Sequence, residues 1–347
     1  MRYFDEQLVA NSRPHAEWWA DVSINREHFH QVEDHMASLA NAAAVLPRDA
    51  WIDIDSITRR VLRDDEGEVY MRDLMALARP INIGKLVSMT RVASDSSNPV
   101  IRSMSGQTPV PMDKVVYAYR GTPVPIFQDG YGREWREWNT LQSENFDALA
   151  DDEEAASAKI RADQADYVLN GDTSIVFQGY SGTGIRSNPL AKTINIGASG
   201  ANIDLTSPST TSDAIDAFFT QTLGAMLDAN LITGKVNIYV SPEIGRNLDR
   251  SYSGANGFKG GTLLQYLLTN RRINKIEVTF KLSGNEFFGF VPSAEFIRPL
   301  IGMAVNTTAM PRQYPTANYQ FLKMGALGLE IRADYNGKSG VFYSTNT

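Results

Sequence analysis

Apolar positions change period several times along the chain. Between residues 15 and 46 they recur at three- and four-residue steps (Phe29, Val32, Met36, Leu39, Ala43), the stripe of a helix that Pro47 ends. Near its start the adjacent Trp18 and Trp19 cannot both enter one stripe, so this aromatic pair on a terminal extension reads as a docking element for a neighbouring chain. A second helical stretch follows at 55–65. From 82 to 128 the period drops to two: 85–92 and 115–120 are strand-like, with Tyr117 and Tyr119 on one face and a polar, Gly- and Pro-bearing segment between them. This predicts a long two-stranded excursion, and because a lone hairpin has little core, it should lean on a neighbour.

Residues 139–170 contain neither Gly nor Pro, and Gly171 supplies a stop. The pattern predicts a helix of about 32 residues, roughly 48 Å long, whose alanine-rich stripe (Leu149, Ala156, Ile160, Tyr167) suits packing on a sheet. Beyond it the chain alternates helix and strand. Ile215, Phe218, Phe219, Leu223, Met226 and Leu227 form one helical face, and Val236, Ile238 and Val240 alternate in a strand. Ser241-Pro242-Glu243 opens another helix, and 251–261 is a Gly- and Ser-rich loop. Strand patterns return at 276–282, 287–291 and 327–331. Asn336-Gly337, a strong hairpin signal, leads into Val341-Phe342-Tyr343. The whole reads as α+β.

The side-chain inventory narrows the chemistry. There is no cysteine, and the four histidines (His15, His28, His30, His35) all lie in the first 35 residues. Thiolate nucleophiles and cysteine metal sites are excluded, and the main body has no histidine for a Ser-His-Asp triad. His28 and His35 share a helical face but His30 does not, and no H-E-x-x-H is present, so no metal centre or other cofactor is expected. Gly179-Tyr180-Ser181-Gly182-Thr183-Gly184 matches neither the P-loop, nor G-x-G-x-x-G, nor G-x-S-x-G, and reads as a turn-rich crossing. The start is too polar for a signal peptide and no apolar stretch is long enough to span a bilayer, so a cytosolic origin without membrane partners is expected.

The formal charge of −7 argues against a surface that coats nucleic acid, and it is unevenly placed. Over 82–128, five basic residues (Lys85, Arg91, Arg102, Lys114, Arg120) face two acidic ones, a net of +3. Over 139–170, eight acids, including the run Asp151, Asp152, Glu153 and Glu154, face two basic residues, a net of −6. A basic excursion and an acidic helix are complementary surfaces, and repeated between identical subunits they give head-to-tail contacts that close into rings. The candidate inter-subunit residues are therefore Lys85, Arg91, Arg102 and Arg120 on one side and Asp151 to Glu154 on the other, with Trp18 and Trp19 on the arm.

Residues 165–171 (Ala-Asp-Tyr-Val-Leu-Asn-Gly), followed by Gly182-Thr183-Gly184-Ile185 and Asn188-Pro189, resemble the spine-helix end and the Gly-x-Gly-Leu-x-Asn crossing of tailed-bacteriophage major capsid proteins. Ile185 stands for the usual leucine, and two residues precede Asn188. The order of elements along nearly the whole chain is also similar to this Hong Kong 97 fold, which encapsulin shells share. The resemblance implies an N-terminal arm at 1–66 and an E-loop at 82–128 that reaches over an adjacent subunit. It implies a peripheral domain at 67–81 and 129–171 with its spine helix at 139–170, an axial domain at 172–300, and a return to the peripheral domain at 301–347. It further implies a non-enzymatic subunit assembling into pentamers and hexamers in the host cytoplasm. These would form an icosahedral shell that encloses double-stranded DNA, with scaffold, portal and decoration proteins as possible partners. Two alternatives stay open: an encapsulin-like nanocompartment shell, and a carboxylate-dependent hydrolase or sugar-binding protein built around Trp135 or Trp138.

Overall fold

The computed structural model divides into two units, Met1–Leu62 and Arg63–Thr347. It describes residues 67–346 except 96–97, 99, 108, 110–111, 144–147 and 254–260, and in the first unit Ser23 and Arg26, both helical and exposed. Apart from those two residues, the expected helices at 15–46 and 55–65, with Trp18, Trp19 and the four histidines, lie outside the described residues.

The described chain begins with α1 (Glu68–Met75) and strands β1 (Arg79–Pro80), β2 (Val87–Ala93), β3 (Tyr117–Pro123) and β4 (Ile126–Arg133). Helices α2 (Trp135–Ser143) and α3 (Ala148–Asn170) precede the short strands β5 (Gly171–Phe177), β6 (Tyr180–Thr183) and β7 (Lys192–Asn195). Helix α4 (Ser212–Ala217) passes through a π-helical turn, Phe218–Thr222, into α5 (Leu223–Ala229). Then come β8 (Val236–Val240), α6 (Pro242–Leu248), α7 (Leu263–Leu267), β9 (Ile273–Val278) and β10 (Phe287–Phe290). Two long strands, β11 (Ile297–Ala309) and β12 (Tyr319–Ile331), and β13 (Val341–Thr345) complete it.

These strands build a four-stranded sheet in the order β1-β11-β12-β4 and a five-stranded sheet in the order β7-β13-β10-β8-β9. Two hairpins, β2-β3 and β5-β6, stand apart as two-stranded sheets. The five-stranded sheet is buried on both faces, and the period-2 rule sorts its side chains. Val236, Ile238 and Val240 enter one core with Ile215, Phe218 and Leu223 from the helices, whereas Tyr239, Phe288 and Phe290 enter a second. That second core is shared with α1, α3 and β12 through Tyr70, Leu169 and Leu329. Strand β8 is therefore wholly buried, with the alternating Val236, Ile238 and Val240 in one core and Tyr239 in the other. The π-turn has a similar cause: the wider turn lets the neighbours Phe218 and Phe219 both enter the core, their rings edge to face at 5.3 Å.

Local signals fix several boundaries. Ser241 caps α6 by accepting from Ile244 N at 3.2 Å, with Pro242 at the first helical position. Thr262 and Gln265 form a capping box at α7. Tyr70 ties α1 to α3 by donating to Ala165 O at 2.8 Å.

Of the helix expected over 139–170, residues 139–143 are helical within α2, which begins back at Trp135, and 148–170 form α3, while 144–147 lie outside the described residues. Two other expectations are corrected. The strand expected over 276–282 ends at Val278, because the chain turns there. Leu282 thereby reaches the second core and Lys281 reaches α3, donating to Asp166 at 3.1 Å. Asn336-Gly337 does form a tight turn, with Gly337 at φ 76° and its N–H donating to Asp334 O at 3.1 Å. It is not a hairpin, because β12 belongs to the four-stranded sheet whereas β13 pairs between β7 and β10 in the other. The C-terminal segment thus leaves the four-stranded sheet rather than staying within it.

Candidate functional site

The Gly-rich crossing after α3 is a helix terminator. Gly171 adopts φ 73°, the left-handed conformation that closes helices. The carbonyls left over at the helix end are then met one by one by the returning chain. Ile185 N donates to Val168 O and Arg186 N to Leu169 O, both at 2.9 Å. Ser187 Oγ donates to Asn170 O at 2.7 Å and accepts from Gly184 N at 2.9 Å. A Cβ on Gly184 would lie 2.3 Å from Gly171 N, so glycine is required for this close approach. The backbone donors Gly184, Ile185 and Arg186 are consumed by the chain itself.

Strands β2 and β3 pair in register from Val87↔Pro123 to Ala93↔Tyr117. The base of this hairpin leans on its own chain. The Arg120 guanidinium donates to Ala333 O at 2.9 Å and to Asp334 O at 3.2 Å, and Gly121 lies under the Tyr180 ring. Farther out the apolar side chains are uncovered: Val100, Val116 and Tyr119 are exposed, as is Met89 opposite Gly121, and Met104 and Met112 stand at 107% and 92% exposure. Lys85, Arg91 and Arg102 are exposed as well, with Arg91 lying 4.8 Å from the Tyr117 ring. A cleft of about 480 Å³ lies at the hairpin base, lined by β2, Arg120, Leu231, Glu295 and the 331–334 segment.

The acids of α3 meet β4, β11 and β12 of their own chain. Arg133 on β4 grips Asp152 in a two-pronged contact (Nε–Oδ2 2.6 Å, Nη2–Oδ1 2.9 Å) and reaches Glu137 at 2.6 Å, which holds its guanidinium pKa above the ordinary value. Glu153 accepts from Thr307 at 2.8 Å and from Lys323 at 3.1 Å. These two hydrogen bonds, the Thr307 one first, and then the Lys323 charge hold the Glu153 carboxyl below the usual glutamate value. Lys159 reaches Asp129 on β4 at 2.8 Å. The contacts fasten α3 to the four-stranded sheet, with Asp152 and Glu153 both paired inside the chain. Asp151 is half-buried and Glu154 exposed.

Lys323, at 8% side-chain exposure, is a residue that the charge reading passed over. Its sequence signal is a cation set among Phe321, Leu322 and Met324. Trp138 packs on Tyr319 at 5.4 Å and Trp135 lies against Arg136, both tryptophans half-buried. The cleft nearby, about 410 Å³, is lined by 130–134, Met310 and 318–321, and carries a single acid, Glu134. The paired carboxylates that a glycosidase-type site needs are not brought together there. Among the described residues no group of three His, Asp or Glu side chains could hold a metal, and no helix is long and apolar enough to cross a membrane.

The family described as "Family of unknown function (DUF6260)" matches residues 41–344. A comparison of the sequence with curated proteins gives no match. Solved structures do resemble the fold. The capsid of Myoviridae phage XM1 aligns with a TM-score of 0.61 at 13% identity, covering 87% of this chain and 99% of that one. The capsid of the native GTA particle gives 0.56 at 11% identity, over 87% and 97%. A structure from Microbacterium phage Oxtober96 gives 0.54 at 14% identity, over 89% and 99%. At these identities the likeness is one of fold, and it extends over nearly the full length of each capsid chain.

Proposed function

Because this chain belongs to the DUF6260 family and folds as capsid proteins do, we propose that it is the structural subunit of a self-assembling viral shell. The observation that carries the reading is the β2-β3 hairpin, anchored at its base by Arg120 and bare of cover along its outer part. Burying apolar surface contributes about 25 cal/mol per Å², whereas an exposed ion pair contributes only ~0.2–1 kcal/mol. Docking of the hairpin on an adjacent subunit would therefore draw its affinity from the Met, Val and Tyr side chains. Lys85, Arg91 and Arg102 would set the register. With the acids of α3 partly consumed within the chain, the acceptor surface must offer other groups as well.

In finer detail, residues 1–66 serve as an arm that includes Trp18 and Trp19, 82–128 as the E-loop, and α3 as the spine. The subunits form pentamers and hexamers of an icosahedral capsid, assembled in the host cytoplasm. The capsid encloses the double-stranded DNA of a tailed phage, aided by scaffold, portal or decoration proteins. A net charge of −7 suits a wall that confines DNA without gripping it. The subunit acts by geometry and contact, with no catalytic step.

The test reverses two charges on the hairpin, Arg91→Glu with Arg102→Glu. The account expects a folded subunit, with an unfolding free energy within about 0.5 kcal/mol of the parent, whose yield of particles falls sharply. Normal particle yield from the double variant would remove the hairpin from the assembly mechanism.

A further inference from the structure

We infer that Met104 and Met112 are an oxidation-sensitive pair, and that their conversion to sulfoxide in the free subunit blocks assembly. The inference rests on the assembly reading above. The chain has no cysteine, so oxidants find no thiol and two-electron oxidation falls to methionine. Among the methionines whose exposure is described, these two stand out. Met104 and Met112 are essentially fully open to solvent, whereas Met89, Met310 and Met75 are about half as exposed or less and Met71 is buried. Both lie in the segment that joins β2 to β3, where the described residues 100–107 and 112–116 are all exposed.

The chemistry is self-contained with hydrogen peroxide as oxidant. The thioether sulfur attacks one peroxide oxygen, an S–O bond forms and the O–O bond breaks. The transferred oxygen gives up its proton, and the other oxygen takes up a proton in turn and departs as water. Sulfur loses two electrons and peroxide gains them. The product is a polar, chiral group where a flexible apolar one stood. Before assembly this costs the subunit nothing, because the side chains are already in water. It removes apolar surface only from the contact that assembly must make, so folding is spared and association is not. Once a shell has formed, the same side chains are shielded and oxidation slows.

The experiment treats the purified full chain with hydrogen peroxide, maps sulfoxides by mass spectrometry and measures particle yield, beside an untreated arm and a Met104→Leu/Met112→Leu variant. Sulfoxide is expected first at Met104 and Met112 in the free subunit, with most of the particle yield lost. The variant should assemble after the same treatment, and both sites should oxidise more slowly in preformed particles. Particle yield unchanged with both sites oxidised would overturn the inference. So would a leucine variant that is inactivated as fully as the parent, or equal oxidation rates in particle and subunit. An untreated arm that never assembles would instead overturn the assembly reading, and this inference with it.

Discussion

Ser187 closes the end of the long helix at Asn170: its hydroxyl donates to the Asn170 carbonyl at 2.7 Å while it accepts from Gly184 N at 2.9 Å. One side chain thus serves the last helical carbonyl and the returning strand together. Ser187→Ala should leave Gly184 N without its acceptor and lower stability by about 1–2 kcal/mol. Urea unfolding of the subunit, read as a shifted midpoint at unchanged slope, checks this.

Gly184→Ala should be more severe. The added Cβ would meet the Gly171 backbone nitrogen at 2.3 Å and the Asn170 carbonyl carbon at 2.6 Å, and neither is a flexible side-chain end that can swing away. Separating the helix end from the crossing strand should cost roughly 3 kcal/mol. The expected readout is a large fall in soluble folded protein, with a lowered melting temperature in what remains.

Gly182 and Gly184 were legible in the sequence as a crossing, but the way that crossing meets the last carbonyls of the helix was not. Composition marks the turn, whereas only the fold shows which carbonyls the turn must meet. The hairpin at 87–93 and 117–123, the start of α6 at Ser241-Pro242 and the helix end at Gly171 all follow from local chemistry and could be read directly. The partners of strands could not. β7 pairs with β13 from the far end of the chain, and period-2 alternation carries no information about which edge a strand will join. The same holds for the acidic run: nothing in its spacing says that Arg133 and Lys323 reach Asp152 and Glu153 from strands β4 and β12.

Glu153 gives that pairing a pH signature. Its folded-state pKa is depressed, so it contributes stability that is fully present above the ordinary glutamate value of 4.5 and is lost as pH falls through the lower folded value. Its carboxylate is 46% exposed, so solvent screening keeps the effect modest. Glu153→Gln should flatten the stability profile below pH 4.5 relative to the parent. Denaturant midpoints collected across the acid range check the slope.

Leu231 sits at φ 56° just past the end of α5 with 73% of its surface exposed. The left-handed conformation costs a residue with a Cβ about 1–2 kcal/mol, and little burial offsets it here. Leu231→Gly should therefore stabilise the isolated subunit by about 1 kcal/mol. Thermal unfolding of the two proteins side by side checks the sign.

The central claim is that this chain builds walls, and negative-stain electron microscopy of the purified full-length protein at high concentration tests it most directly. The account predicts closed shells, or rings of five and six subunits on the way to them. A protein that stays monomeric in every field, with neither rings nor shells, would contradict it.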